Sequence, residues 1–190
     1  MSKVAIFASG AGSNADRILK FLAEKESSVK IDCFVTNKIN AGIYDVAMNY
    51  GVPIVYFSNS DFADGKVILD FLQKRKIQWL VLAGFLRKIE LNIVEAFENR
   101  IFNLHPSLLP KYGGKGMYGK FVHEAVLKAG ETQSGISIHL VNSEFDKGEI
   151  LRQAKCNVEK GQTVEELAIK IQKLEHEFFP KVIEEYIINH

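Results

Sequence analysis

The chain is poor in the features that mark several specialised protein classes. It has only two cysteines in 190 residues, Cys33 and Cys156, and they lack metal-type spacing. Both lie in apolar strand-like runs, which argues against a disulfide scaffold or zinc cluster and reads as buried, reduced thiols. No stretch approaches the roughly 18 apolar residues of a membrane span. The opening "MSKVAIFASGAG" meets glycines after a short apolar run, unlike a signal peptide. With 24 basic and 23 acidic residues the formal charge is +1, so no field gathers nucleic acid or an anionic membrane. These absences predict a cytoplasmic protein whose partners are small molecules, with neither nucleic acid nor membrane among them. A charged ligand then needs a local site.

What is present is an ordinary globular balance, 47% hydrophobic and 25% charged. A chain of this length buries roughly 70% of its unfolded surface, and no repeat, low-complexity tract or linker divides it. One domain, residues 1–190, is expected. Strand and helix patterns alternate over the first two thirds: "VAIFAS", "VKIDCFVTN", "VPIVYF", "IQWLVLAGF" and "RIFNLH" as strands, with "NADRILKFLAEK", "YDVAMNYG", "GKVILDFLQKRK" and "LNIVEAFE" as helices between them. This rhythm predicts an α/β fold with a doubly wound, mainly parallel, Rossmann-like sheet. Beyond His105 the rhythm breaks into the glycine-rich loop "PSLLPKYGGKGMYGK". A helix near "VHEAVLKAG" and an antiparallel strand pair, "GISIHLVN" with "EILRQAKCNV", come next. A long C-terminal helix starts at about Thr163, where Thr163 and Glu166 form a capping box. Pro180 is expected to kink it.

Two places carry candidate chemistry. Gly10, Gly12, Ser13 and Asn14 join the first strand to the first helix, where free N–H groups and the helix dipole favour an anion. A tight turn with Ser13 or Asn14 as cap is the alternative, and a phosphate is the favoured reading. Gly10, Gly12 and Ala15 also fit a dinucleotide fingerprint, but that site needs an acid at the end of the second strand. Here the strand ends on Thr36, Asn37 and Lys38, and Asp32 comes too early. An isolated phosphate monoester therefore fits better than a pyrophosphate.

The second place is "FNLHPSLLP". Side chains two apart share a strand face, so Asn103 and His105 point one way while Phe102 and Leu104 point the other, and Pro106 ends the ladder. An amide and an imidazole at a carboxyl-end strand tip are a satisfied core pair or half of an active site. The later turn "NSEFDKGEI" brings Glu144, Asp146 and Glu149, and an acid beside an imidazole stabilises its charged form.

The segments "GAGSN", "LAGFLRKI", "NLHPSLLPKY", "SGISIHLVNSEFDKGEIL" and "LEHEFFPKVI" stand in the order found in the glycinamide ribonucleotide formyltransferase family, which the chain resembles over nearly its whole length. The resemblance implies transfer of the formyl group of 10-formyltetrahydrofolate, as co-substrate, to the primary amine of glycinamide ribonucleotide in purine biosynthesis, by direct attack through a tetrahedral intermediate. It implies Asn103, His105 and Asp146 as the catalytic trio, with His105 kept protonated by Asp146. Gly12, Ser13 and Asn14 match the substrate-phosphate loop, and Gln172 and Glu175 the ribose contacts. Leu86, Arg87, Ile89 and Val94 match one wall of the folate pocket, with Asn142 to Asp146 as the other. Leu86, Ile89 and Val94 read equally as core, and Gln172 and Glu175 as a solvated helical face.

One imidazole, one amide and one acid are a poor set for zinc, so no metal is expected. Neither cysteine has a base beside it, so no covalent formyl-enzyme is expected. The loop "KYGGKGMYGKFVHEAV" is longer than the "KYPG" common in the family, which leaves His123 as the nearest counterpart of its loop histidine. Lys111, Lys115 and Lys120 read as solubilising charges. His139 is either a partner of the trio or a satisfied structural histidine. Both a monomer and a homodimer are compatible with the sequence. The rival readings are formyltetrahydrofolate hydrolase, another folate formyl enzyme such as methionyl-tRNA formyltransferase, and a non-catalytic nucleotide-binding domain.

Overall fold

A run such as Trp79–Leu82, apolar at every position, can be buried on both faces only between two layers. The computed structural model, which describes residues 1–190, builds that arrangement. Its strands are β1 (Ser2–Phe7), β2 (Val29–Thr36), β3 (Ile54–Tyr56), β4 (Trp79–Leu82), β5 (Ile101–His105), β6 (Gln133–Leu140) and β7 (Ile150–Asn157). Its helices are α1 (Ser13–Glu24), α2 (Ile43–Tyr50), α3 (Asn59–Asp64), α4 (Lys66–Lys74), α5 (Leu91–Ala96), α6 (Lys120–Lys128) and α7 (Val164–Asn189). The sheet order is β3-β2-β1-β4-β5-β6-β7. The first five strands are parallel, β6 runs antiparallel to β5, and β7 antiparallel to β6. The doubly wound sheet, the antiparallel β6–β7 pair and the long last helix are all as expected. The antiparallel β5–β6 pairing is an addition the pattern did not indicate.

Strand alternation sorts the core into two halves. Val4, Ile6, Trp79, Val81, Phe102, Ile136 and Ile138 pack on one face against α1, α2, α6 and α7. Ala5, Phe7, Cys33, Leu80, Leu82 and Ile101 pack on the other against α3, α4 and α5. Two differences from expectation have local causes. Helix α3 is additional to the expected helices and is announced by a capping box of Ser58 with Asp61. Cys156 is half-buried rather than buried, because β7 is the edge strand. Helix α7 runs from Val164 to Asn189 with the buried Pro180 inside it. No helix is long and apolar enough to cross a membrane.

Phe102 holds β5 to the last helix. It is fully buried, with its ring 5.8 Å from that of Trp79 and 5.5 Å from that of Tyr186. Phe102→Ala is expected to cost about 3–5 kcal/mol in urea unfolding; a loss below about 1 kcal/mol would mean that β5 is not anchored this way.

Candidate active site

The strand order reverses at β1, whose neighbours β2 and β4 lead outward in opposite directions, and the crevice at such a switch point is where open α/β sheets take ligands. Ser9, just beyond β1, is buried and ties the neighbouring loops together. Its hydroxyl donates to Asn37 Oδ1 (2.8 Å) and accepts from the Leu86 N–H (3.2 Å), fixing the loop after β4. A cavity of about 560 Å³ opens here, within the range of small-molecule sites.

Its centre is a polar patch on β5 and β6. Asn103 stands opposite His139, and His105 opposite Ser137, all on the face away from Phe102. No helix covers this patch. The segment after Pro106 folds back over it instead, and Ser137 Oγ accepts from Leu109 N–H and donates to the Ser107 carbonyl. A buried polar face is tolerable only when its groups find such partners.

The turn after β6 brings Asp146 to the same patch. Asp146 has φ 53°, in the left-handed region, and Gly148 follows because a β-carbon there would collide with the Leu140 carbonyl. Asn142 braces the turn, its Oδ1 accepting from Glu144 N–H at 2.9 Å. The Asp146 carboxylate then meets four groups. Oδ2 accepts from Gly114 N–H (2.8 Å) and lies 3.6 Å from His105 Nδ1. Oδ1 lies 3.5 Å from Asn103 Nδ2 and 3.6 Å from His139 Nε2.

Hydrogen bonds set the imidazole faces. His105 Nε2–H donates to the Tyr112 carbonyl (2.8 Å), which leaves Nδ1 turned toward Asp146. His139 Nδ1–H donates to the Leu140 carbonyl (2.8 Å), so in the neutral ring Nε2 accepts from Asn103 Nδ2 (3.0 Å). His139 is thus the partner of the Asn103 amide. Burial pushes His105 below the usual imidazole range, and the Asp146 charge and Tyr112 carbonyl oppose this without reversing it. The expectation that Asp146 keeps His105 protonated is therefore corrected: with the side chain only 4% exposed, desolvation wins. Burial also pushes Asp146 up, but the His139 ring, the Gly114 N–H and His105 outweigh it and hold the carboxyl below the ordinary range.

On the other side of the sheet edge, α1 begins at Gly12 (φ 79°) with no side-chain cap, leaving its first N–H groups to a ligand. A β-carbon at Gly12 would press on Ile43 at 2.8 Å. Helix α7 lies alongside: Asn14 Nδ2 donates to Glu175 Oε2 (2.9 Å), and Gln172 Nε2 reaches Ser13 Oγ at 3.4 Å. Burial raises the Glu175 carboxyl, with Asn14 partly countering it.

The structure gathers most of the expected residues. Asn14, Leu86, Arg87, Ile89, Asn103, His105, Asn142, Asp146 and Glu175 line the cavity. Gly12, Ser13 and Gln172 adjoin it through the α1–α7 contacts rather than lining it. Val94, 8% exposed, packs in the same apolar cluster as the lining residues Phe85 and Ile89 without itself being among those that line the cavity. His123 does line the cavity, buried, as does Lys115, while Lys111 pairs with Glu131. Asp32 is taken by Arg75 (2.6 Å) and Lys3 (3.2 Å), in keeping with its exclusion as a ribose ligand. Phe145 lines the cavity within the expected Asn142 to Asp146 wall, whereas Phe85 and the backbone of Tyr112 and Gly114 were not among the expected residues. Phe85 directly precedes the expected wall residue Leu86, which was the available signal; a backbone carbonyl or N–H leaves none.

Comparison with known proteins agrees with this geometry. A family model described as formyl transferase matches residues 2–183. The chain is 39% identical over 186 residues to the chloroplastic phosphoribosylglycinamide formyltransferase of Arabidopsis thaliana, covering 95% of this chain and 64% of that protein. It thus spans less than two thirds of that plant relative. It is 30% identical to the phosphoribosylglycinamide formyltransferase of Bacillus subtilis (strain 168), over 98% of this chain and 95% of the relative. Among solved structures, glycinamide ribonucleotide transformylase 1 from Geobacillus kaustophilus superposes with a TM-score of 0.90 at 30% identity, over 98% of both chains. The family match over residues 2–183, together with the superposition over 98% of both chains, makes the chain a member of the formyl transferase family.

Proposed function

We propose that the chain, acting as a single domain of residues 1–190, transfers a formyl group from 10-formyltetrahydrofolate to the primary amine of glycinamide ribonucleotide. The observation that carries this is the meeting of Asn103, His105 and Asp146 in a cavity that also reaches Asn14 and Glu175. The lobe lined by Phe85, Leu86, Ile89, Val141 and Phe145 suits a flat, largely apolar donor. Leu86, 50% exposed there, would be covered by it. When bound, the folate supplies the formyl carbon that the amine takes.

Each residue then has one task. The uncapped start of α1 at Gly12, Ser13 and Asn14 binds the phosphate, and Gln172 and Glu175 take the ribose hydroxyls, so the amine is held against the formyl carbon. Asn103 spends one amide N–H on His139. Its other N–H, only weakly engaged at 3.5 Å by Asp146, donates to the developing oxyanion. His105 rests neutral with Nδ1 free. Taking the amine's proton turns a 3.6 Å contact between two acceptors into an ion pair with Asp146, so the carboxylate stabilises the charge as it forms. His105 then returns the proton to the departing nitrogen. The buried Cys33 thiol, pushed by burial up to about 12, is no nucleophile, in keeping with direct transfer.

Purified protein given both substrates is expected to release tetrahydrofolate only when the ribonucleotide amine is present. Release in water alone would instead indicate a hydrolase, and no release a non-catalytic domain. His105→Ala and Asp146→Asn are each expected to lower kcat about a hundredfold or more, with smaller changes in KM; full turnover in either would remove that residue from the chemistry.

The His105 environment gives a pH test. Its NMR titration midpoint is expected below 6.5, and lower still in Asp146→Asn, where the opposing charge is gone. Because the unfolded chain binds this proton more readily, the corresponding stability is full above 6.5 and is lost as pH falls toward the folded midpoint. kcat/KM should fall over the same acid limb; a midpoint above 6.5 would contradict a neutral resting base.

A further inference from the structure

Tyr112 is a strained residue in an informative place. Its φ of 57° puts a β-carbon in the left-handed region, which persists only where neighbours impose it. Its carbonyl receives His105 Nε2–H, and its phenol, at the far end of the side chain, donates to Glu131 Oε1 at 3.0 Å. Glu131 lies just past α6 and does not line the catalytic cavity. The same oxygen takes Lys111 Nζ at 2.8 Å, so one carboxylate grips two consecutive residues of the loop over the β5–β6 patch. These partners pull Glu131 below the ordinary carboxylate range, Lys111 first and Tyr112 second, so it is anionic at neutral pH.

We propose that Glu131 is a positioning residue for His105, acting through Tyr112. The carboxylate holds the Tyr112 ring, the held ring keeps the backbone left-handed, and the backbone carbonyl selects the Nε2–H form of His105. That form alone leaves Nδ1 bare toward Asp146 and the reacting nitrogen. The role in catalysis rests on the formyl-transfer reading, but the control of the imidazole does not.

The test uses Glu131→Ala, Glu131→Gln and Tyr112→Phe in the full chain, read by steady-state kinetics and by imidazole nitrogen NMR. In the wild type, His105 is expected to carry its proton on Nε2 once neutral. Glu131→Ala and Tyr112→Phe are expected to populate the other tautomer and lower kcat roughly tenfold, with KM for both substrates within about twofold. Glu131→Gln keeps an oxygen acceptor for the phenol and should restore both readouts. Tyr112→Phe removes a single oxygen and keeps the test open should Glu131→Ala fold poorly. Unchanged His105 signals in Glu131→Ala or Tyr112→Phe, with or without loss of kcat, would overturn the proposal. Altered signals in a protein with no formyl-transfer activity at all would leave the positioning role standing and remove the functional reading instead.

Discussion

Asp146 carries a carboxylate that is 12% exposed and shared among an amide, two imidazoles and a backbone N–H, and the site is built around keeping it there. The turn that delivers it runs through a left-handed aspartate and a glycine with no room for a β-carbon. The patch that receives it is a stretch of sheet where helices give way to a folded-back loop. A buried anion of this kind is tolerable because it accepts hydrogen bonds and faces groups able to hold positive charge. Remove it, and Asn103, His105 and His139 lose their common neighbour.

The two histidines illustrate how one environment divides labour. Both rings donate one N–H to a backbone carbonyl, which fixes their orientation. In the neutral ring, the other nitrogen of His139 accepts from Asn103, whereas that of His105 faces the carboxylate without a proton between them. Desolvation favours the neutral form of His105, the nearby Asp146 charge opposes it, and in the proposed reaction that anion would lower the cost of charging the ring. In the proposed transfer, binding and chemistry separate along the same sheet edge: the α1–α7 contact would take the anion and sugar on one side, and the aromatic lobe the donor on the other.

Much of this was legible in the sequence. The α/β rhythm, the end of β2 on Thr36 without a ribose acid, and the shared face of Asn103 and His105 follow from periods of two and of about three and a half residues. The pairing of the Asp146 turn with the β5 tip came only with the family resemblance, because nothing local specifies that β6 runs antiparallel beside β5. The charge state of His105 was misjudged for a physical reason. Sequence shows an acid near an imidazole, but the desolvation opposing it depends on tertiary burial. Val94 packs with the lining residues Phe85 and Ile89 in one apolar cluster, and helical position alone does not tell which of these side chains reach the cavity. Contributions from backbone atoms, at Tyr112 and Gly114, have no sequence signature at all.

The central claim is that Asp146 acts on the reaction through the charge that His105 acquires. A double-mutant cycle on kcat/KM, with His105→Ala, Asp146→Asn and the pair, measures this coupling directly. The account predicts strong non-additivity, with Asp146→Asn costing little once His105 is gone. Fully additive losses would mean that the carboxylate and the imidazole work independently, and would contradict it.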